Sequence, residues 1–272
     1  MPPCQNLHTH TTYCDGKSTA EEMILAALEL GCDSIGFSGH SFVESIDELY
    51  SMSFETTRKY VGEIKALKDK YEGRIAVYLG IEQDYYSGTP GGVYDYVIGS
   101  AHLVEKNKLL LAVDHNARTV HQTVADHYGG DYYALAEDYY AVASGLGKAT
   151  GADIIGHFDV VTKNNFDGSM FDLNHPRYVG PALDAMDEIL KDCRLFEVNT
   201  GAMYRLGKID PYPSPFLLRE LKKRGGEVIL ASDSHDAPSL CHKFGEMREL
   251  LKACGFRYAK RLGENGFVDI LL

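Results

Sequence analysis

The chain lacks the features of fibrous, disordered and membrane-spanning proteins. Its 9 Pro are scattered and its 27 Gly follow no Gly-X-Y period, which excludes collagen-like and low-complexity chains. No apolar run approaches the roughly 18 residues that a membrane span needs. Residues 1–17 contain no basic segment followed by an apolar one, so no signal peptide is predicted. We therefore expect a globular cytoplasmic protein with no membrane partner.

Positive charge is also scarce. The 27 Lys and Arg against 39 Asp and Glu give a net charge of −12. A field of that sign disfavours binding to nucleic acid or to anionic membranes. It does not exclude a small anionic substrate, provided that the site itself supplies positive charge.

Cysteine pairs of the C-x-x-C type are absent, which disfavours a structural zinc site built from thiolates. The six cysteines are far apart in the chain, and a disulfide scaffold is not expected at this length. We expect reduced, mostly buried thiols. Cys14 stands out because it lies beside the first group of candidate metal ligands.

Short apolar runs alternate with longer amphipathic runs along all 272 residues, a length that suits one large α/β domain. The alternation predicts a parallel sheet covered by helices, with barrel-like closure favoured over a doubly wound open sheet. The predicted strands lie around 4–8, 34–38, 75–81, 95–101, 153–157, 195–199 and 227–232. The predicted helices lie between them, at 18–31, 55–71, 131–146, 180–191, 214–225 and 237–254.

Metal-type ligands follow almost every predicted strand, at the end where α/β barrels carry their active sites. Residues i and i+2 of an extended segment project to the same side, so His8 with His10, and Asp233 with His235, can each face one point. Imidazoles mixed with carboxylates suit zinc, manganese or iron(II). The predicted metal ligands are His8, His10, Asp15, His40, Glu82, His102, His157, Asp233 and His235.

The ordered set of motifs resembles the polymerase-and-histidinol-phosphatase (PHP) superfamily. It comprises H-x-H near the start, then G-H, G-I-E, S-A-H, G-H-F-D and finally S-D-S-H, and it runs from His8 to His235. Segments 95–102, 199–205 and 211–214 resemble the histidinol-phosphatases within that superfamily. The resemblance implies a distorted (β/α)7 barrel, one domain over 1–272, and a centre of three divalent metal ions.

The resemblance also assigns the nine ligands to the three ions. Position 15 is His in some relatives and Asp here, which should still bind a metal but can change the preferred ion. The implied sets are His8, His10, Glu82 and Asp233 for the first ion, Asp15, His40 and His235 for the second, and Glu82 again with His102 and His157 for the third.

The implied chemistry is hydrolysis of a phosphate ester. Three divalent ions bring +6 and three carboxylates −3, which leaves roughly +3 to attract a phosphate inside an acidic protein. A water between two metals would be deprotonated near neutral pH and could attack phosphorus in line. No Ser/His/Asp or Cys nucleophile pattern is evident. The candidate catalytic residues are Asp15, Asp159 and Arg205.

Further positive groups could hold the phosphate. Arg205 is the first candidate because guanidinium matches phosphate bidentately, and Lys163 is the second. Thr162 stands where some histidinol-phosphatases carry Arg. Asp159 could orient a ligand, accept a proton or cap a turn, and Glu197 either contacts the site or is a buried partner of another base.

The sequence therefore predicts a phosphatase acting on a small phosphorylated substrate, with L-histidinol phosphate, in histidine biosynthesis, as the substrate that the resemblance implies. One alternative is a phosphatase or phosphodiesterase acting on nucleotides or other small esters. A nucleic-acid exonuclease is disfavoured by the net charge. Segment 103–130 is either a lid or a surface insertion, and the oligomeric state is left open.

Overall fold

The computed structural model describes residues 4–44, 50–166 and 168–272. The strands are β1 Gln5–Asn6, β2 Ser34–Phe37, β3 Ala76–Asp84, β4 Tyr96–Ser100, β5 Leu103–Lys106, β6 Leu109–Ala112, β7 Ile154–Ile155, β8 Leu195–Asn199, β9 Glu227–Ala231, β10 Tyr258–Gly263 and β11 Gly266–Leu271. The α-helices are α1 Ala20–Glu29, α2 Phe54–Lys70, α3 Ala117–Tyr128, α4 Tyr132–Ala143, α5 Leu146–Thr150, α6 Pro176–Ile189, α7 Gly201–Leu206, α8 Pro215–Lys223 and α9 Phe244–Ala253.

The main sheet has the strand order β1-β2-β3-β4-β7-β8-β9-β10-β11, and its strands are parallel from β1 to β10. It curls until the extensions of β1 and β9 meet, where His10 N donates to Ser234 O at 2.8 Å. At the opposite end β10 lies beside β1, and Leu262 N donates to the Gln5 side chain at 2.7 Å. The barrel therefore closes only at the carboxyl ends of its strands. The predicted distorted (β/α)7 barrel is confirmed.

A tyrosine fills the barrel below the carboxyl ends. The hydroxyl of fully buried Tyr96 donates to the carbonyls of Leu7 and Phe37. Glycine is required opposite this ring, because a Cβ on Gly80 would lie 2.2 Å from Tyr96 Cζ. Functional side chains are consequently confined to the carboxyl rim, above a packed interior.

Several predicted helix bounds were wrong, in each case because of local capping or backbone conformation. Thr19, not Ser18, caps α1, since its side chain accepts from Glu22 N while the Glu22 carboxylate accepts from Thr19 N. The predicted helix 131–146 is two helices separated at Gly145. The predicted helix 237–254 is a 3₁₀ turn, Ala237–Ser239, followed by α9, because left-handed residues interrupt it.

Three segments carry structure that the pattern did not predict. Segment 103–130 forms the antiparallel hairpin β5–β6 and then α3. The terminal hairpin β10–β11 extends the main sheet beyond the seven predicted strands. Helix α7 follows β8 directly.

Across the described residues, no helix combines the length and the apolar character that crossing a bilayer would require.

The expectation that every cysteine is reduced was wrong. A disulfide joins Cys4 and Cys241, which are 237 residues apart in sequence. The segment after β9 turns back along the barrel, so that Cys241, just after the 3₁₀ turn Ala237–Ser239, lies beside the residue that precedes β1. Sequence separation conceals this proximity. Cys14, Cys32, Cys193 and Cys254 are free thiols.

Candidate active site

All nine predicted metal ligands converge at the carboxyl rim. His8 and His10 lie on the extended segment after β1, and Glu82 lies near the end of β3. His40 pairs with Glu82 as a β-bridge, which places the extension of β2 beside β3. The side-chain groups whose ligand atoms lie within 4.8 Å of one another are His10/Asp15/His40/His235, His8/His10/Asp233, His8/Glu82/His157 and His40/Glu82/His102.

Glu82 occupies the centre of this arrangement. Its side chain is fully buried. Its Oε1 lies 2.9 Å from His157 Nε2 and 3.3 Å from His102 Nε2. Its Oε2 lies 2.9 Å from His40 Nδ1 and 3.2 Å from His8 Nε2. One carboxylate therefore contacts imidazoles from four different strand ends.

Two aspartates complete the arrangement on the other side. Asp233 Oδ1 is 3.2 Å from His10 Nε2 and 3.6 Å from His8 Nε2. Asp15 Oδ2 is 3.1 Å from His235 Nε2, and Asp15 Oδ1 is 3.6 Å from His40 Nε2. The carboxylates and imidazoles thus form one continuous cluster of nitrogen and oxygen donors.

The carboxylates and imidazoles of the cluster shift one another's pKa values. Burial by itself raises the pKa of Glu82, but the imidazoles of His40 and His8 hold it well below its usual value. Burial, together with the neighbouring His235 and His40, lowers the pKa of His10 to about 3. Burial lowers the pKa of His8 and His102, but nearby carboxylates, Glu82 among them, raise it well above its usual value, so these two imidazoles must lose a proton when a metal binds them.

Buried carboxylate oxygens that lack hydrogen bonds indicate whether the cluster is suited to binding a cation. Asp15 Oδ1 and Glu82 Oε2 are buried and accept no well-directed hydrogen bond, although His40 nitrogens lie 3.6 Å and 2.9 Å from them. Leaving a carboxylate oxygen in this state is costly unless a cation or donor compensates it. The donor set of imidazoles and carboxylates, with orphaned oxygens facing the cluster, fits divalent metal ions.

Two further carboxylates hold the imidazoles from outside the cluster. Glu197, fully buried on β8, accepts from His8 Nδ1 at 2.7 Å and from His157 N at 2.7 Å. Asp84 accepts from His102 Nδ1 at 3.1 Å and from His102 N at 3.2 Å. Such partners fix the orientation and tautomer of a metal-binding imidazole. The sequence left Glu197 undecided and gave Asp84 no role, although Asp84 shares a strand face with Glu82.

Arg205 lies at the edge of the cluster, on α7. Its Nη2 is 2.9 Å from Asp233 Oδ2, and its Nη1 is 2.7 Å from His235 Nδ1. Its side chain remains 30% exposed.

The other two candidates lie further out. Lys163 Nζ pairs with Asp114 Oδ2 at 3.2 Å. Buried Asp159 accepts from Ser214 N at 3.0 Å, its Oδ1 has no hydrogen-bond partner, and burial raises its pKa to about 6. Asp159 thus connects the turn after β7 to the start of α8. The predicted roles of both residues stay predictions.

A cavity of about 770 Å³ opens beside the cluster. Its wall includes Leu103, Leu110 and Asp114, so the first part of segment 103–130 lines the site. Tyr50 and His115 also line it, and their ring centroids are 6.4 Å apart. The remaining lining residues are Asp15, His40, Ser41, Val43, Ser51, Asp84, His102, Ala112, Asn116 and Lys163.

Comparison with known proteins identifies the family. A family model described as the PHP domain matches residues 6–201. The chain belongs to the PHP family. The "Probable histidinol-phosphatase" of Deinococcus radiodurans is 30% identical to this PHP chain over 261 residues, which cover 92% of this chain and 93% of that protein.

Two solved structures share the fold. HisK of Listeria monocytogenes superimposes with a TM-score of 0.77 at 19% identity, covering 89% of this chain and 99% of that one. HisK of Lactococcus lactis, solved with zinc, L-histidinol and phosphate, superimposes with a TM-score of 0.68 at 17% identity and covers 97% and 98% of the two chains. These likenesses show that the PHP chain shares the fold of both proteins.

Proposed function

We propose that this PHP protein is a metal-dependent phosphatase that hydrolyses L-histidinol phosphate to L-histidinol and phosphate in histidine biosynthesis. The observation that carries the proposal is the convergence of nine imidazoles and carboxylates on the rim of a PHP barrel. The name of the Deinococcus radiodurans relative and the ligands of the Lactococcus lactis structure support the choice of substrate.

The proposed cofactor is a group of three divalent ions, drawn from zinc, manganese and iron. His8, His10, Glu82 and Asp233 would hold the first, and Glu82 would bridge to the third. When bound, such ions supply a water of lowered pKa and neutralise charge on the phosphoryl oxygens. The remaining proposed ligands are Asp15, His40 and His235 for the second ion, and His102 and His157 for the third.

Residues on the two sides of the cluster would bind the two ends of the substrate. Arg205 adjoins Asp233 and His235, where its guanidinium can hold phosphate oxygens. Lys163, which lines the cavity, would be a second phosphate contact, on the cavity side of the phosphate. The cavity lies on the side of His40 and His102 and has the size of a small-molecule pocket. Tyr50 and His115 in its wall offer ring faces against which an imidazole-bearing alcohol can pack.

We expect Arg205→Ala to raise KM for the phosphate ester by about 10- to 100-fold, the loss that removal of a charge-assisted hydrogen bond causes. Arg205→Lys should recover part of this loss, because it keeps the charge but not the bidentate geometry. The measurement is steady-state kinetics with metal content determined on the same samples. An unchanged KM in Arg205→Ala would remove Arg205 from the phosphate site.

The function itself is tested by phosphate release from L-histidinol phosphate, with the protein loaded separately with zinc, manganese or iron. Parallel assays use p-nitrophenyl phosphate, a mononucleotide and a phosphodiester. We expect kcat/KM for L-histidinol phosphate at or above about 10⁴ M⁻¹s⁻¹ and well above the other three. Weak phosphate release without preference among the four esters would retain the assignment as a hydrolase but reject L-histidinol phosphate as the substrate. No release with any metal would reject both assignments.

A further inference from the structure

Three cysteines from distant parts of the chain meet outside the candidate active site. Cys4 precedes β1, Cys32 precedes β2, and Cys241 follows the 3₁₀ turn Ala237–Ser239. Their sulfur atoms lie within 4.8 Å of one another. Cys4 and Cys241 form the disulfide, and Cys32 Sγ lies 3.8 Å from Cys241 Sγ. We refer to these three residues as the thiol cluster.

We propose that the thiol cluster, once its disulfide is reduced, is a second metal site that binds one soft cation of the zinc or cadmium type. This site is separate from the histidine and carboxylate cluster and contributes nothing to phosphate hydrolysis. The disulfide and the bound ion are alternative states of the same three sulfur atoms.

The spacing of the sulfurs fits such an ion. Two thiolates at about 2.3 Å from a tetrahedral zinc ion lie about 3.8 Å from each other, which is the separation of the Cys32 and Cys241 sulfurs. Reduction frees Cys4 Sγ, which lies within 4.8 Å of both other sulfurs, to become the third ligand. Sulfur ligands select soft ions, whereas the nitrogen and oxygen donors of the active site accept harder ones.

The surroundings explain how a disulfide and a third thiol coexist. Cys32 is buried at 6% exposure. Burial, together with the Asp33 carboxylate, raises the pKa of Cys32 to about 11. The group is therefore a protonated thiol at neutral pH and a slow nucleophile toward the adjacent disulfide. A bound cation supplies the positive charge that removes this proton, and partly exposed Cys4 and Cys241 leave the ion a path of entry.

The two states are linked by a balanced redox step. A dithiol reductant attacks the Cys4–Cys241 bond, which breaks and leaves both cysteines as thiols. The dithiol gives up two electrons and two protons in forming its own disulfide. Binding of the cation then displaces protons from the cysteine thiols to solvent.

The test is a titration of reduced full-length protein with Cd²⁺. The protein is reduced with excess dithiol, freed of it without air, and loaded with Mn²⁺ before the titration. We expect a sulfur-to-cadmium absorption that saturates at one Cd²⁺ per chain and is absent from protein that keeps its disulfide. Cys32→Ser should weaken this binding more than 10-fold. Cys193→Ser, at a buried thiol that donates to Asp153 O and lies outside the thiol cluster, should leave it unchanged.

Three results would overturn the proposal: no absorption, an absorption unaffected by Cys32→Ser, or one abolished by Cys14→Ser. The last would place the cadmium at the active site, because Cys14 Sγ lies 3.4 Å from His10 Nδ1. Alkylation of the reduced wild-type protein, measured by mass spectrometry, tests the site without relying on variants that could fail to fold. Cd²⁺ should protect Cys4 and Cys241 at least 10-fold, and equal labelling with and without Cd²⁺ would reject the site.

Discussion

Glu82→Gln is expected to lower kcat for phosphate ester hydrolysis by well over about 100-fold. Partners that merely orient metal ligands contribute about 10- to 100-fold, and Glu82 itself lies among the donor atoms. Both of its oxygens lie 2.9 Å from imidazole nitrogens, one from His157 and one from His40. An amide of the same size has one oxygen and no charge, so it can neither bridge two ions nor balance their charge.

The measurement is metal content per chain, by elemental analysis, together with kcat at saturating substrate. We expect Glu82→Gln to lose at least one ion and to keep its fold, because the side-chain volume is conserved. The matched control is Glu227→Gln at the start of β9, where the carboxylate pairs with Lys260 away from the site. Full activity and full metal content in Glu82→Gln would contradict the proposed bridge.

The second large effect is expected for Glu197→Gln, with metal affinity falling by about 10- to 100-fold. The Glu197 carboxylate accepts three hydrogen bonds, from His8 Nδ1, His157 N and Asn199 Nδ2, each at 2.7 Å. Glutamine offers one oxygen, so its amide N–H groups must face at least one of these donors. If they face His8, its ring changes tautomer and the proton moves to Nε2, the atom that points into the cluster.

Glu197 is a positioning residue, and its test therefore needs more than activity. We expect faster loss of metal to a chelator in Glu197→Gln, a lower kcat, and recovery of activity at high metal concentration. KM should change little, because Glu197 lies behind His8 and does not face the cavity. Glu227→Gln again serves as the control. Unchanged chelation kinetics beside a lowered melting temperature would indicate a purely structural role.

The strand ends were the most predictable part of this protein. All seven parallel strands of the barrel occur near their predicted positions, because runs buried on both faces are almost continuously apolar. The i, i+2 spacing correctly placed His8 beside His10, whose Nε2 atoms are 3.1 Å apart. Local periodicity carries this information because each strand and its first loop residues are contiguous in sequence.

Features that depend on distant contacts were not predictable in the same way. The terminal hairpin β10–β11 and the Cys4–Cys241 disulfide follow from the way the curled sheet brings its first and last strands together. The role of Glu197 was equally concealed, since the residues it holds lie 189 and 40 positions away. A strand pattern reports that such a carboxylate is buried but does not report what it faces.

The sequence by itself determined the PHP barrel, the rim position of nine donors and the sign of charge that their cluster would attract. These properties depend on residue types and on spacings of a few residues, both of which can be seen within a short stretch of sequence. Only the tertiary structure decided that Glu82 is the central carboxylate, that Glu197 and Asp84 hold the imidazoles, and that segment 103–116 forms part of the cavity wall. The physical reason is that a hydrogen bond or a cavity wall needs two partners, and folding alone selects which distant residues meet.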